Sequence, residues 1–244
     1  MKFNLGYRPE PPDYRDLAMI APIPEYDLPK EIDWTEQVTE VRNQGSEGAC
    51  VGFATTGLKE FQEWREYGKK YDFSERWIYE FAKVEDEFPG VDYEGTTIRG
   101  AMKALQKHGI CPEELWPYVP GEKGQPDEQA ASRAFIFKIK KYRSLITPEK
   151  NIKLIKRGLH ETGPVVAGVA VHPTWFDVGK NGIIKPSSSQ DILGYHAILA
   201  VAYDEKFLKF KNSWGTGWGA QGYGYLEWEF AMFIFHSAWA AYDL

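Results

Sequence analysis

From Cys50 to about Tyr67 the apolar side chains recur at three- and four-residue steps. Val51, Ala54, Leu58 and Phe61 form the stripe, and Phe53, Gly57 and Trp64 widen it. Thr55, Thr56, Lys59, Glu60 and Glu63 fall outside, so the pattern predicts a helix with one buried face. A second helix is predicted from Ser74, whose hydroxyl can cap it while Phe73 and Ile78 occupy the two positions of a hydrophobic staple. A third spans about Thr97 to His108 and stops at Gly109, which accepts a left-handed C′ conformation.

The period then changes. Thr147-Pro148-Glu149 reads as the capped, proline-led start of a short helix ending near Gly163. After it, Val165–Val171, His196–Tyr203, Phe207–Asn212 and Tyr223–Trp228 are β-prone segments separated by Gly, Asp and Lys turns. A helical half followed by a strand-rich half is an α+β arrangement, with a cleft expected between the two. The expected organisation is a Pro-rich arm over 1–30, a mainly helical lobe over 31–130 and a strand-rich lobe over 131–244. The arm's prolines and charges predict an extended segment lying on a surface. Its length lets it reach the cleft and restrain access.

Chemistry concentrates in a few places. Gln44 stands six residues before Cys50 in Asn43-Gln44-Gly45-Ser46-Glu47-Gly48-Ala49-Cys50. Small residues open the approach, and the predicted helix begins at the cysteine, where unpaired N–H groups and positive potential favour a thiolate. Far downstream come Tyr195-His196-Ala197 and Asn212-Ser213-Trp214-Gly215. His196 can pair with the thiolate and protonate a leaving amine, and Asn212 can orient the imidazole without adding charge. The Gln44 amide and the Cys50 backbone N–H can stabilise an oxyanion. These residues together point to an acyl-transferring cysteine enzyme.

The set resembles the papain-type cysteine peptidases, over about residues 32–230. His196 follows Cys50 by 146 residues and Asn212 follows it by 162. The segment Asn212-Ser213-Trp214-Gly215-Thr216-Gly217-Trp218-Gly219 matches the family's Asn loop almost letter for letter. The resemblance implies a two-lobe fold, a helical left lobe and an antiparallel β-barrel-like right lobe with the active site between them. It implies peptide or protein substrates cleaved through a thioester on Cys50, with catalytic residues Gln44, Cys50, His196 and Asn212. Trp214 would shield the His196–Asn212 hydrogen bond from water. Gly95 and Thr96 would bind substrate backbone, and Gly168, Gly194, Tyr195 and Ala197 would line the main specificity pocket, which shows no charge and so suits an apolar or aromatic side chain. The same site could serve an acyl transferase or amidase, or persist in an idle binding module.

The chain departs from the family at three points. Glu47 stands where a disulfide cysteine is usual, which leaves the cleft wall to packing and puts a negative charge near the thiol. Val51 replaces an aromatic after the nucleophile, and in place of a long inhibitory prosegment only the Pro-rich arm is expected.

Composition narrows the partners. Acidic residues outnumber basic ones, 35 to 29, with no basic block, which excludes a nucleic-acid reading. No apolar run is long enough to span a bilayer. Two cysteines cannot build a multi-bridge scaffold, and no signal-like segment opens the chain, so a reducing, cytoplasmic setting and a monomer are expected. The five histidines and two cysteines lack metal-ligand spacing, so no metal or other cofactor is expected. Cys111, His108, His160, His172 and His236 read as structural residues.

Overall fold

The computed structural model describes residues 3–16, 27–88, 90, 92–146, 152–187 and 191–243. The three helices of the first half form where the hydrophobic spacing predicts them. α1 covers Cys50–Tyr67 and ends at left-handed Gly68. α2 covers Glu75–Glu85, with the Ser74 hydroxyl accepting from the Trp77 N–H. α3 covers Ile98–Lys107, capped by Thr97 through the Gly100 N–H. Both staple residues, Phe73 and Ile78, are buried in the core these helices share. Short α4 (Ala130–Ala134), α5 (Ile152–Glu161) and α6 (Trp228–Ile234) follow. The expected Thr147–Glu149 cap lies outside the described residues.

Among the described residues seven strands form one antiparallel sheet. They are β1 (Ile32–Asp33), β2 (Lys141–Ser144), β3 (Val165–Val171), β4 (Gly194–Tyr203), β5 (Phe207–Lys211), β6 (Tyr223–Glu227) and β7 (Phe235–Tyr242). The order is β2-β7-β3-β4-β5-β6, with β1 paired to β4. β7 is a central strand that the sequence reading did not anticipate. It leaves α6 without a Gly or Pro break, and its Ser-Ala-Trp-Ala-Ala run has little intrinsic strand preference. Burial between β2 and β3 decides its conformation.

Two apolar cores result, one around α1–α3 and one within the strand lobe. They meet where α1 packs on β4: at Gly57 an added Cβ would lie 3.0 Å from the Leu199 side chain, so the missing methyl sets the approach. That contact carries the first turn of α1 to the start of β4.

Candidate active site

Cys50 is the first residue of α1. Ala49 provides no side-chain cap, so the first-turn N–H groups keep their positive potential for the site. Across the lobe boundary, the Ala197 N–H on β4 donates to Cys50 Sγ at 3.4 Å. His196, the preceding residue, donates from Nε2 to Asn212 Oδ1 at 2.8 Å. That bond leaves His196 Nδ1 as the basic nitrogen, and it is buried without a hydrogen-bond partner. Trp214 lies over the imidazole with centroids 4.5 Å apart and is itself buried, so it screens the His196–Asn212 pair from water.

Gln44 is buried and doubly fixed. Its Oε1 accepts from the Ser213 hydroxyl at 2.6 Å, and its Nε2 donates to Glu47 O at 2.8 Å and to Asn4 O at 3.2 Å. The Gln44 N–H also donates to Ser213 O, and the Tyr118 hydroxyl to Gln44 O. Ser213 therefore joins the Asn loop to the Gln44 amide. The sequence shows Ser213 inside the motif, but its partner is 169 residues away and only folding reveals it.

Asn4 belongs to the N-terminal arm, and here the surface-arm expectation is corrected. Phe3 stacks on Trp214, with centroids 4.6 Å apart. The Asn4 carbonyl meets the Gln44 amide, and its side chain bonds Ser46 O. Gly6 O accepts from the Thr96 N–H, Arg8 N–H donates to Thr96 O, and Tyr7 N–H donates to Tyr195 O. Tyr7 and Thr96 form a parallel bridge. The prolines begin only at Pro9, and the preceding Phe3-Asn4-Leu5-Gly6-Tyr7 is an apolar, strand-competent stretch that an averaged composition hides. Gly6 is required at the closest approach, because a Cβ there would lie 1.8 Å from Gly48 O.

The arm contacts the positions expected to bind substrate. A Cβ at Gly95 would lie 2.4 Å from Gly6 O, one at Gly168 2.3 Å from the Tyr7 ring, and one at Gly194 2.7 Å from Leu5. Gly95, Thr96, Gly168, Gly194 and Tyr195 thus all lie against the arm, and the Ala197 N–H meets the thiol. With the arm in place, Cys50 and His196 are both 0% exposed. Burial pushes the thiol up to about 11, against hydrogen bonds from Ala197 and Gly6. Burial also pushes the imidazole down to about 4, against its bond to Asn212. Burial thus favours the neutral form of both groups while the arm is in place.

The cleft wall at Glu47 is likewise different from expectation. Glu47 receives a two-pronged ion pair from Arg76 on α2, at 2.6 and 2.7 Å, and a third hydrogen bond from the Gly121 N–H. Arg76 also donates to Val119 O and lies over the Tyr118 ring. Packing alone does not hold this wall, and the Glu47 charge is compensated rather than free to oppose a thiolate. Burial alone would raise the Glu47 carboxyl, but the Arg76 and Gly121 donors hold it below its usual range. Cys111 is buried in the helical core, as expected of a structural residue.

A two-lobe α+β body, with a thiol at a helix start bonded by the residue that follows an Asn-bound imidazole, has the papain-like thiol-enzyme fold. A family model described as papain family cysteine protease matches residues 28–232, and the chain belongs to that family. An uncharacterised peptidase C1-like protein of Acanthamoeba polyphaga mimivirus is 30% identical, across 90% of this chain and 80% of that protein. Human (Homo sapiens) cathepsin L2 is 29% identical, across 81% of this chain and 60% of its own length. Among solved structures, xylellain, a cysteine protease from Xylella fastidiosa, superimposes with a TM-score of 0.85 at 28% identity. The match covers 98% of this chain and 96% of that one. Its family thus consists of thiol proteases, which are hydrolases.

Proposed function

We propose that this chain hydrolyses peptide bonds through a thioester on Cys50 and that residues 3–8 hold it closed until the arm is displaced. The observation that carries the reading is the arm's own peptide in the groove, its Asn4 carbonyl on the Gln44 amide beside Cys50. With the arm gone, water re-enters, and the α1 N-terminus and the imidazole favour transfer of the thiol proton to His196 Nδ1. The thiolate attacks the substrate carbonyl carbon, and the oxyanion is met by Gln44 Nε2–H and the Cys50 N–H. His196 returns the proton to the departing amine, leaving an acyl thioester. It then takes a proton from water, whose oxygen displaces the thiol and releases the acid.

The arm's polarity supports an inhibitor rather than a substrate. The leaving amine lies on the C-terminal side of a scissile carbonyl and must depart beside His196. In the arm it is the N-terminal neighbour, Phe3, that lies on Trp214 against His196, while Tyr7 runs away towards Thr96. The bound segment therefore runs backwards relative to a cleavable peptide.

The test keeps the full chain. Gly6→Ala places a methyl into Gly48 O, unseats the arm, and is expected to raise turnover of peptide amides by at least tenfold. Adding Cys50→Ala should abolish that gain, and turnover retained in the double variant would sink the assignment. Mass spectrometry of the products separates hydrolysis from acyl transfer to an amine or hydrolysis of a non-peptide amide.

A further inference from the structure

We propose that the turn after α4 docks the chain on an anionic lipid surface, with Phe135 and Ile136 entering the headgroup layer and the cations beside them holding lipid phosphates. Docking is independent of Cys50, since a chain that cleaves nothing would bind the surface equally well.

The turn is exposed at its tip and fixed at its base. Phe135 is 65% exposed and its neighbour Ile136 68%, whereas Ala130, Ala134, Phe137 and Ile139 are all buried. The Phe137 ring packs on Phe73 and Tyr71, with centroids 4.8 and 4.9 Å apart. Its N–H donates to Ala134 O, and the Ile139 N–H donates to Leu105 O on α3. Gly109, just past α3, completes the seat, because a Cβ there would lie 1.9 Å from Ala134 O. A buried footing therefore holds the two apolar side chains outward, which a fraying chain end would not do.

Charge around the tip has one sign. Residues 129–146 contain five cations, Arg133, Lys138, Lys140, Lys141 and Arg143, and no acid, although the whole chain has a net charge of −6. Apolar residues interleave with these cations, so they form no continuous basic run. Elsewhere Arg42, Arg76 and Arg99 each hold carboxylates. Among the described residues none of the five cations has a carboxylate partner. Arg133, Lys138 and Lys140 lie within four residues of the tip, at most about 14 Å along the chain. Lys138 Nζ is 3.6 Å from the centre of the Phe135 ring, so ring and ammonium are presented together. That pairing suits a lipid–water boundary, where rings sit among headgroups and lysines reach phosphate. A protruding turn offers no pocket to clasp a partner protein's side chain, and a bilayer requires none. The chain would lie on the membrane through this turn; no helix among the described residues is long and apolar enough to cross one.

The experiment sediments the full chain with vesicles of phosphatidylcholine alone and of phosphatidylcholine mixed equally with phosphatidylglycerol. Wild type is expected to pellet with the mixed vesicles at low salt, to stay in solution with phosphatidylcholine alone, and to be released as salt rises. Phe135→Ser with Ile136→Ser should weaken partition at least about tenfold. Lys138→Gln with Lys140→Gln should weaken it about thirtyfold. Lys180→Gln with Lys185→Gln, two exposed lysines far along the chain from the turn, should change it less than about threefold. All three pairs are surface substitutions, so melting temperatures within about 2 °C of wild type confirm that the fold is intact. Equal binding to both vesicle types, binding that survives the Phe135 and Ile136 changes, or equal weakening by the Lys180 and Lys185 pair overturns the proposal. Wild type that ignores the mixed vesicles but is captured by immobilised polyglutamate overturns it in favour of an acidic protein partner.

Discussion

Replacing Arg76 by Met tests whether an ion pair has taken over the wall of this cleft. The Arg76 side chain is 1% exposed and that of Glu47 12%, so the pair is desolvated and not a screened surface contact. Removing one partner of such a pair costs about 3–5 kcal/mol, because a buried charge is left behind. The lower end applies here: Glu47 keeps its Gly121 donor, and Glu80, the other acid on Arg76, keeps Lys83 and Lys123. For a chain of this length, about 3 kcal/mol lowers the melting temperature by roughly 10 °C.

Arg76→Met combined with Glu47→Gln removes the stranded charge, so the double variant should be less destabilised than the two single losses summed, by at least about 1.5 kcal/mol. The pH sign follows from Glu47, whose carboxyl is held low in the folded chain. Its contribution is present above the unfolded carboxylate value of about 4.3 and is lost as pH falls through the depressed folded one. Urea denaturation of the four variants at pH 7, and again near pH 3, measures all of this. A cost below about 1 kcal/mol for Arg76→Met, or additive losses at pH 7, would refute the reasoning. So would a penalty that does not shrink in acid. Reductant should leave the wild-type midpoint unchanged, since the wall contains no disulfide.

How much of this was legible in the sequence depends on the range of the interaction. The three helices of the first half were readable because their signals are local: stripe spacing, a serine cap, a stopping glycine. The meeting of His196 with Asn212, and of their neighbours Ala197 and Ser213 with Cys50 and Gln44, was foreshadowed by residue type and order along the chain. β7 was not, because its partners β2 and β3, rather than its own alanines, make it a strand. Nor was the Arg76–Glu47 bond, since many arginines lie in the chain and nothing local singles out one 29 residues away. The arm's placement on an outer surface, though not its reach to the cleft, was misjudged for a further reason. Its first apolar residues have no partner until the groove exists, and composition averaged over 30 residues reports the prolines beyond them.

The remaining expectations concern the site and its cover. Ser213→Ala frees the Gln44 amide to turn, and should lower kcat several-fold in the Gly6→Ala background with little change in KM, read from steady-state kinetics. In the wild-type chain iodoacetamide should alkylate neither cysteine quickly, with Cys111 buried and its thiol pushed up to about 12. Gly6→Ala should accelerate Cys50 alone, and equal acceleration of both would mean global loosening rather than an unseated arm. Arg99→Ala removes donors to Pro11 O and Asp16 and the pair with Glu87, and should raise peptide turnover by releasing the arm's far end. The last expectation concerns Glu10, which accepts from the Tyr7 hydroxyl and from the Arg99 N–H. Burial raises its carboxyl in the seated arm, against those two hydrogen bonds. A group that holds its proton more tightly when seated favours seating in acid. Through Glu10, then, the arm loosens as pH rises from the free carboxylate value of about 4.3 past the raised one. Glu10→Gln removes the titration, while ionisation of the Cys50 thiol is common to both chains. The Cys50 alkylation rate of wild type divided by that of the variant should therefore climb between about pH 4 and pH 7. A flat ratio would place control of the arm's seat in the Arg99 contacts and the Tyr7 pocket instead.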